Sequence, residues 1–375
     1  MCLFLALFPV LAFADENPVG ISQVDTKDLR LYYADSLSYL VPHAVRTFTN
    51  SLAWQRRMFG WVPYEPITVQ LQDLADYGSG GAYAAPHSML VLDVAPLSHA
   101  FETFPASELL YMMMNHELVH VESNDISSDE DRRWRRLFLG KVAVQRQHPE
   151  SLLYSYLTVP GFTAPRWYLE GGAVFMETWM SGGLGRAQGG YDEMVFRAMV
   201  RDDAHFYDPL GLASRGTQVD FQIGANAYLY GTRFFTWLAY TYSPEKVVAW
   251  YRRDEGSKRY WSDRFTQVFG IPVEQAWQDW IAFEHEFQRK NLAEVRKFPI
   301  TPQRNLVGTA MGSVSRTYYD EATGTLYGGF RYPGTVEYVG ALNTRDGSVR
   351  RIADIKRAML YRVTSFAYDP ANETA

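Results

Sequence analysis

The chain has 375 residues, of which 47% are hydrophobic and 21% charged, and its formal net charge is −6 at pH 7. This apolar content is enough for a sizeable core, and the sequence has no low-complexity tract, which excludes a disordered protein. The mild acidity argues against a nucleic-acid-binding protein, because such proteins usually carry a basic face. The single cysteine, Cys2, excludes an internal disulfide.

The N-terminus carries an apolar run over residues 3–13 that ends in Ala12-Phe13-Ala14. This small-x-small pattern is the one that signal peptidase cleaves, and the run is too short to span a bilayer. We therefore expect residues 1–14 to be a signal peptide, cleaved after Ala14, and the mature chain to be exported to the periplasm or the extracellular space. No later apolar stretch is long enough to cross a bilayer, so no stable membrane span is predicted.

Residues 20–295 predict an α+β domain. Strands with alternating or continuous apolar residues and helices with apolar residues three and four positions apart are expected in the following order. They are a strand in LRLYY, a helix ending near Gly60, strands at 67–73 and 88–94 joined by a glycine-rich loop (DYGSGGAYAAP), a helix N-capped by Ser107, a helix at 166–180, and consecutive helices over 228–292. Between the second and third helices lies the segment 126–164, whose charged start (DEDRRWRR) predicts a solvated helix face.

The pattern changes near Thr301, where short predicted strands alternate with the turn sequences DEATG, RYPG and RDG. Residues 303–375 therefore predict a separate all-β segment with a four-stranded meander, and TSFAYDP predicts the first strand of a second unit. The meander resembles one blade of a TolB-like β-propeller. This resemblance implies the start of a propeller that binds a protein partner. Because a lone meander leaves both edges uncovered, we expect a truncated C-terminus.

The most informative motif is HELVH at residues 116–120, an H-E-x-x-H pattern on a predicted helix. Residues four apart share a helix face, so His116 and His120 can both bind one Zn²⁺ ion. Glu117 would lie beside the metal and accept a proton from water. The alternative is two helix histidines with a surface glutamate. The metzincin continuation of this motif requires Gly and His where Ser123 and Ile126 stand, so that group is excluded.

A second predicted helix carries residues that are informative in combination, namely Trp167, Glu170, Gly171, Val174 and Glu177. With them the chain resembles the aminopeptidase-type gluzincins of the peptidase MA-like group, whose second helix reads W-x-x-E-G-x-x-V-x-x-E. The resemblance implies that Glu170 is the third zinc ligand. It also implies that Glu177 orients a ligand histidine.

A third motif lies further on, in Tyr228-Leu229-Tyr230-Gly231. Gluzincins carry Y-x-x-G at the opening of a helix, where the tyrosine hydroxyl stabilises an oxyanion. The resemblance implies that role for Tyr228, with Tyr230 as the alternative if the helix begins later. Three motifs in the right order predict a zinc metallopeptidase of gluzincin fold, with a mixed sheet, an active-site helix and a helical subdomain.

Two departures from the gluzincin pattern bear on the activity. The gap between His120 and Glu170 is longer than is usual in this group, so residues 126–164 are expected to lie outside the metal core. The exopeptidase signature G-x-M-E-N is also absent, because GGAYAAP (residues 80–86) stands in its place. An endopeptidase, or a peptidase of unknown preference, therefore fits better than an aminopeptidase.

Other interpretations stay open. His87 is expected to be a satisfied loop histidine rather than a cleft residue, and Arg166 can bind a substrate carboxylate or form a structural ion pair. The expected partner is a peptide or protein substrate. Two rival functions are a catalytically silent peptide- or protein-binding module and a zinc hydrolase that acts on a non-peptide bond. Intact Glu117 and Tyr228 argue against the silent module.

Overall fold

The structure is a computed structural model that describes residues 20–74, 78–95, 108–187, 189–213, 223–309, 311–314, 317–332, 334–355, 369, 371–372 and 374. The predicted signal peptide, the predicted N-cap Ser107 and all of TSFAYDP except Asp369 lie outside these residues. Within them the chain forms a mixed α/β region with a five-stranded sheet, followed by a separate five-stranded all-β sheet.

The first sheet is mixed and has helices against one face. It has the strand order β1-β2-β3-β5-β4, with the bounds β1 (Ile21–Asp25), β2 (Leu29–Ala34), β3 (Ile67–Gln72), β4 (Ser79–Tyr83) and β5 (Met89–Asp93). The central strands β2, β3 and β5 run parallel, while β1 and β4 pair antiparallel at the two ends. Ile67, Val69 and Leu71 alternate with half-exposed residues along β3, as expected for a strand with one buried face.

The glycine-rich segment between β3 and β5 differs from the prediction. Part of it is β4 rather than loop, paired in register with β5 from Ser79 opposite Asp93 to Tyr83 opposite Met89. Gly and Ala have little intrinsic preference for strands, so the local sequence indicates a loop. Backbone hydrogen bonds to β5 override that preference. Among the described strands, β4 has a neighbour on one side only.

Helices make up most of the remainder of this region. Their bounds are α1 (Val41–Phe59), α2 (Leu109–Asp125), α3 (Asp129–Leu137), α4 (Ser151–Thr158), α5 (Arg166–Met180), α6 (Gly190–Arg201), α7 (Pro209–Ala213), α8 (Ile223–Thr241), α9 (Pro244–Tyr251), α10 (Trp261–Phe269) and α11 (Val273–Val295). Short 3-10 helices occupy Asp35–Leu40 and Pro160–Thr163. Over the described ranges, no helix combines the length and the apolar character needed to cross a membrane.

The helix α2 lies at the centre of this region. It packs against α1, β4, β5 and α5, and most of its residues are buried on every side. A helix that is buried all round needs apolar or internally paired side chains on each face, and Met112, Leu118 and Val121 supply part of them. The other part of the core is aromatic, where Trp167 of α5 packs on Phe234 of α8.

The C-terminal sheet is antiparallel throughout its described strands. It has the order β10-β9-β8-β6, with β7 also pairing with β8, and its bounds are β6 (Ser313–Val314), β7 (Tyr318–Asp320), β8 (Thr325–Arg331), β9 (Tyr338–Asn343) and β10 (Val349–Asp354). The four predicted strands are confirmed, with the first divided into β6 and β7. Gly324 and Gly347 adopt φ values of +67° and +74° in the predicted turns DEATG and RDG. A left-handed conformation there favours glycine.

Candidate metal centre

The two histidines of the H-E-x-x-H motif face one another on α2. This helix begins cleanly, because the Glu108 carboxylate accepts hydrogen bonds from the backbone N–H groups of Leu110 and Tyr111. Residues four apart on a helix share a face, and the Nε2 atoms of His116 and His120 lie 3.1 Å apart. His116 is 3% exposed and His120 is 16% exposed, so one ring is buried and the other borders a cleft.

Glu170 completes a cluster of three potential ligands from α5. Its Oε2 lies 3.4 Å from Nε2 of His116 and 3.3 Å from Nε2 of His120. The three residues thus bring one ligand atom each to within 4.8 Å of the other two. Glu170 Oε2 is buried and has no hydrogen-bond partner. A buried carboxylate oxygen without a donor is uncommon in proteins, and one that lies between two imidazole nitrogens is suited to bind a cation.

The donor set of this cluster fits zinc. Two imidazole nitrogens and a carboxylate are the ligands of the His₂Glu catalytic zinc sites, which leave a fourth position for water. Although burial raises the pKa of Glu170, the two adjacent imidazoles hold it well below its usual range, so the carboxylate is charged at neutral pH. The residues that could hold the metal are therefore His116, His120 and Glu170.

The second ring nitrogen of His116 points to a buried carboxylate. Nδ1 of His116 lies 2.8 Å from Oε2 of Glu177, which is fully buried. A carboxylate on Nδ1 holds the proton there and leaves Nε2 free to bind a metal. Burial and the Arg186 guanidinium lower the pKa of His116, but the Glu170 and Glu177 carboxylates beside the ring outweigh them and raise it to about 9.

Arg186 is a member of the site that the sequence analysis missed. Its Nε and Nη2 atoms donate to the two oxygens of Glu177, each at 2.8 Å, and Nη2 also lies 2.8 Å from Nδ1 of His116. Burial raises the pKa of Glu177, but Arg186 and His116 lower it to about 2. Arg186 follows α5 in a loop that carries no recognisable motif, so no local signal pointed to it.

Glycines allow the helices of the site to approach closely. A Cβ atom on Gly171 of α5 would lie 2.3 Å from the backbone carbon of Gly231 of α8, and one on Gly231 would lie 2.2 Å from the Trp167 carbonyl oxygen. Any side chain at either position would force the two helices apart. Glu170 directly precedes Gly171, and Tyr228 lies about one turn before Gly231. The close crossing of α5 and α8 therefore sets the distance between Glu170 and Tyr228.

Glu117 lies in the same cleft and contacts the end strand of the sheet. A Cβ atom on Gly80 of β4 would come within 2.5 Å of Glu117 Oε1 and 2.3 Å of Met113 Cε, so a side chain there would displace the Glu117 carboxylate and the end of Met113. Burial raises the pKa of Glu117, although the charges of His116 and His120 oppose this effect. A raised pKa suits a group that must accept and return a proton near neutral pH.

The two tyrosines of the Y-x-x-G motif lie in different surroundings, within α8 rather than at its start. The ring of Tyr228 is stacked on that of His116, with centroids 6.2 Å apart, and Arg186 lies over its face. Burial and the nearby Glu170 raise the pKa of Tyr228, so its hydroxyl stays protonated at neutral pH. Tyr230 packs in the aromatic core against Trp277, away from the cluster.

The remaining candidates take structural positions. His87 is largely exposed and pairs with Glu65 at 2.9 Å, as expected for a satisfied loop histidine. Arg166 forms an i,i+4 ion pair with Glu170 at 3.3 Å, which matches the structural alternative.

The metal cluster opens into a cleft of ≈420 Å³ lined by Glu117, His120, Glu170 and Tyr228 among others. A larger cavity of ≈800 Å³ borders α5, α8 and α11 but contains none of these residues, so chemistry rather than size identifies the site.

No protein-family model matches the chain, and no curated protein matches it either. Among solved structures, one that is similar is an aminopeptidase N family protein from Idiomarina loihiensis, with 10% sequence identity and a TM-score of 0.32 over 88% of this chain. The chain spans 65% of the length of that structure. A likeness at this TM-score carries no argument, so the proposal below depends on the geometry of the site.

Proposed function

We propose that this chain is a zinc-dependent peptidase, with His116, His120 and Glu170 as the zinc ligands. Zinc held there supplies Lewis acidity, which lowers the pKa of water and polarises a carbonyl. Glu117 accepts the proton of the attacking water and returns it to the leaving amine. Tyr228 donates a hydrogen bond to the oxyanion that develops on the substrate carbonyl.

The observation that carries this proposal is the unpartnered Oε2 atom of Glu170 between the two Nε2 atoms. The two Nε2 atoms and Oε2 are all acceptors when each ring carries its proton on Nδ1, and three acceptors converge favourably only around a cation. Glu117 lines the cleft beside them, which is the position a general base requires.

A peptide fits this cleft better than a compact non-peptide substrate. The end strand β4 lines it and has a paired neighbour on one side only among the described strands. The free backbone edge of such a strand can accept an extended peptide as an additional strand. With no carboxylate in the residues 80–86 to bind a free amino terminus, internal peptide bonds are the proposed substrate.

Metal analysis of two variants tests the proposal, because each removes one carboxylate from the same cleft. Glu170→Ala should lower zinc content and peptidase activity together. Glu117→Gln should retain one zinc per chain, as in the wild type, and lower activity by about 10²–10⁴-fold. Full zinc occupancy in Glu170→Ala would remove Glu170 as a ligand. Full activity in Glu117→Gln would overturn the mechanism.

The same measurements separate the rival functions. A protein that binds zinc and peptides without cleaving them would be a binding module, and a zinc protein that cleaves only esters or epoxides would be a different hydrolase.

We also propose that residues 1–14 direct export and that residues 303–375 begin a propeller that binds a protein partner. Secretion of the full chain with cleavage after Ala14 would support the first of these proposals.

A further inference from the structure

The segment 126–164 is fixed to the active-site helix by buried ion pairs. Arg135 and Lys141 are both fully buried, and they pair with Oδ1 of Asp125 at 3.4 Å and 2.9 Å. Arg135 also donates to the carbonyl oxygens of Asp125 and Thr158. Most of the charged start of this segment is solvated, as the sequence indicates, whereas Asp131 and Arg135 are buried and Arg135 finds its partner in Asp125 at the end of α2. These buried contacts anchor the segment to the end of α2.

The second half of the segment lies directly on α2. A Cβ atom on Gly161 would come within 2.2 Å of the Ser123 carbonyl oxygen, so the 3-10 turn Pro160–Thr163 is in backbone contact with the helix one turn beyond His120. This contact places Val159 and Phe162 in the wall of the cleft that contains the metal cluster. The described residues of 126–164 thus supply none of the three potential ligands, as expected, but they line the cleft into which the cluster opens.

The wall that this segment contributes is mainly apolar, with Ser155 as its one polar residue among those described. It comprises Ala143, Val144, Ser155, Val159 and Phe162, and Leu169 of α5 extends it. Among the described residues that line the cleft, the only acidic or basic ones are Glu117, His120 and Glu170, which belong to the proposed catalytic site. A charged substrate side chain against this wall would lose part of its hydration without gaining a partner of opposite charge from the wall, whereas an apolar one gains contact area.

We propose that residues 126–164 form a specificity wall that selects a peptide with an apolar side chain next to the cleaved bond. This inference rests on the proposed peptidase function and names its substrate class. Val144 and Phe162 are the specificity-determining residues, because both line the cleft and neither is fully buried. Val144 is 47% exposed, so a charged residue there can be hydrated without disturbing the core.

Acetylated and amidated oligoalanine peptides with one central Leu or one central Lys test the wall. The zinc-loaded wild type should cleave the Leu peptide with a kcat/KM at least about tenfold higher than the Lys peptide. Val144→Glu should shift this ratio about tenfold toward Lys, because a carboxylate in the wall attracts the ammonium group. The matched control is Leu152→Glu, which adds the same charge to an exposed position of the same segment outside the cleft and should leave the ratio unchanged.

The outcomes distinguish the wall from the proposed activity. Cleavage with no preference for Leu, or a Val144→Glu ratio equal to that of the control, would overturn the specificity wall while the peptidase stands. Absence of cleavage by the wild type would overturn the proposed function. In that case calorimetry with the zinc-loaded protein still tests the specificity wall. Tighter binding of the Leu peptide than of the Lys peptide, with the order reversed in Val144→Glu, would support the wall. Equal affinities would overturn it.

Discussion

Two buried polar clusters lie on the same helix and differ in how they are satisfied. At the end of α2, Asp125 accepts from the Trp61 side chain at 3.0 Å and the Tyr64 backbone at 2.9 Å, and it pairs with Arg135 and Lys141. This Asp125 cluster contains its own cations. A few residues earlier on the same helix, the Nε2 atoms of His116 and His120 lie beside Oε2 of Glu170, an atom with no hydrogen-bond donor.

The difference indicates which cluster is structural and which is functional. A buried carboxylate with donors on both oxygens stabilises the fold as it stands. A buried group of acceptors with one oxygen that lacks a donor, as at Glu170, is stabilised when a metal ion or a proton binds to it. We therefore expect changes in the Asp125 cluster to alter stability and changes in the metal cluster to alter metal binding and turnover.

The largest effect on stability is expected from Asp125→Ala. It leaves Arg135 and Lys141 buried without their carboxylate, which should lower the free energy of unfolding by about 3–5 kcal/mol. Urea denaturation of the metal-free protein measures it. The control is Asp129→Ala, which removes an exposed carboxylate that pairs with Arg132 and should have a far smaller effect. Equal effects of both changes would contradict a structural role for the Asp125 cluster.

The next largest effect is expected on turnover alone. Tyr228→Phe removes the hydroxyl proposed to stabilise the oxyanion and should lower kcat by about 10²–10³-fold, with zinc content unchanged. KM should change little, since this hydrogen bond strengthens in the transition state. Tyr230→Phe is the matched control, because Tyr230 lies in the aromatic core and should leave kcat unaffected. A large loss in the control instead would assign the role to Tyr230.

The metal cluster should also make the free energy of unfolding of the metal-free protein depend on pH. The pKa of His116 is raised from 6.5 to about 9 in the metal-free fold, so its protonation stabilises that fold fully below pH 6.5. This stabilisation, at most about 3 kcal/mol, is lost as pH rises through 9. Zinc displaces the proton, so the zinc-bound protein should lack this dependence. Unfolding curves at pH 6 and pH 9.5, with and without zinc, measure it; identical dependence in both forms would contradict the prediction.

The smallest effect is expected from removing the C-terminal sheet. All residues of both clusters lie before residue 295, so a chain ending at Phe298 should fold cooperatively, bind one zinc and keep its activity. Calorimetry and metal analysis of the shortened protein test this boundary. An insoluble shortened chain beside a stable longer one would show that residues 303–375 belong to the same folding unit.

Local periodicity accounts for what the sequence predicted well. The i,i+4 spacing of His116 and His120 fixes their relation once a helix forms, because the rise and rotation per residue are constant. The helical assignments of α2 and α5 and the turns around Gly324 and Gly347 are likewise set by nearby residues. On α5, the spacing of Glu170 and Glu177 puts both near one face, which is why the resemblance could place them together.

The remaining features depended on contacts between distant parts of the chain. Arg186 meets His116 across 70 residues of sequence, and nothing in its own surroundings distinguishes it from a surface arginine. Burial of Arg135 and Lys141 depends on Asp125, and β4 depends on hydrogen bonds to β5. The sequence by itself thus determined which side chains stand on each helix, because backbone geometry is local. Only the tertiary structure decided which of their polar atoms are paired and which, like Oε2 of Glu170, lack a hydrogen-bond donor, because pairing is set by packing between elements.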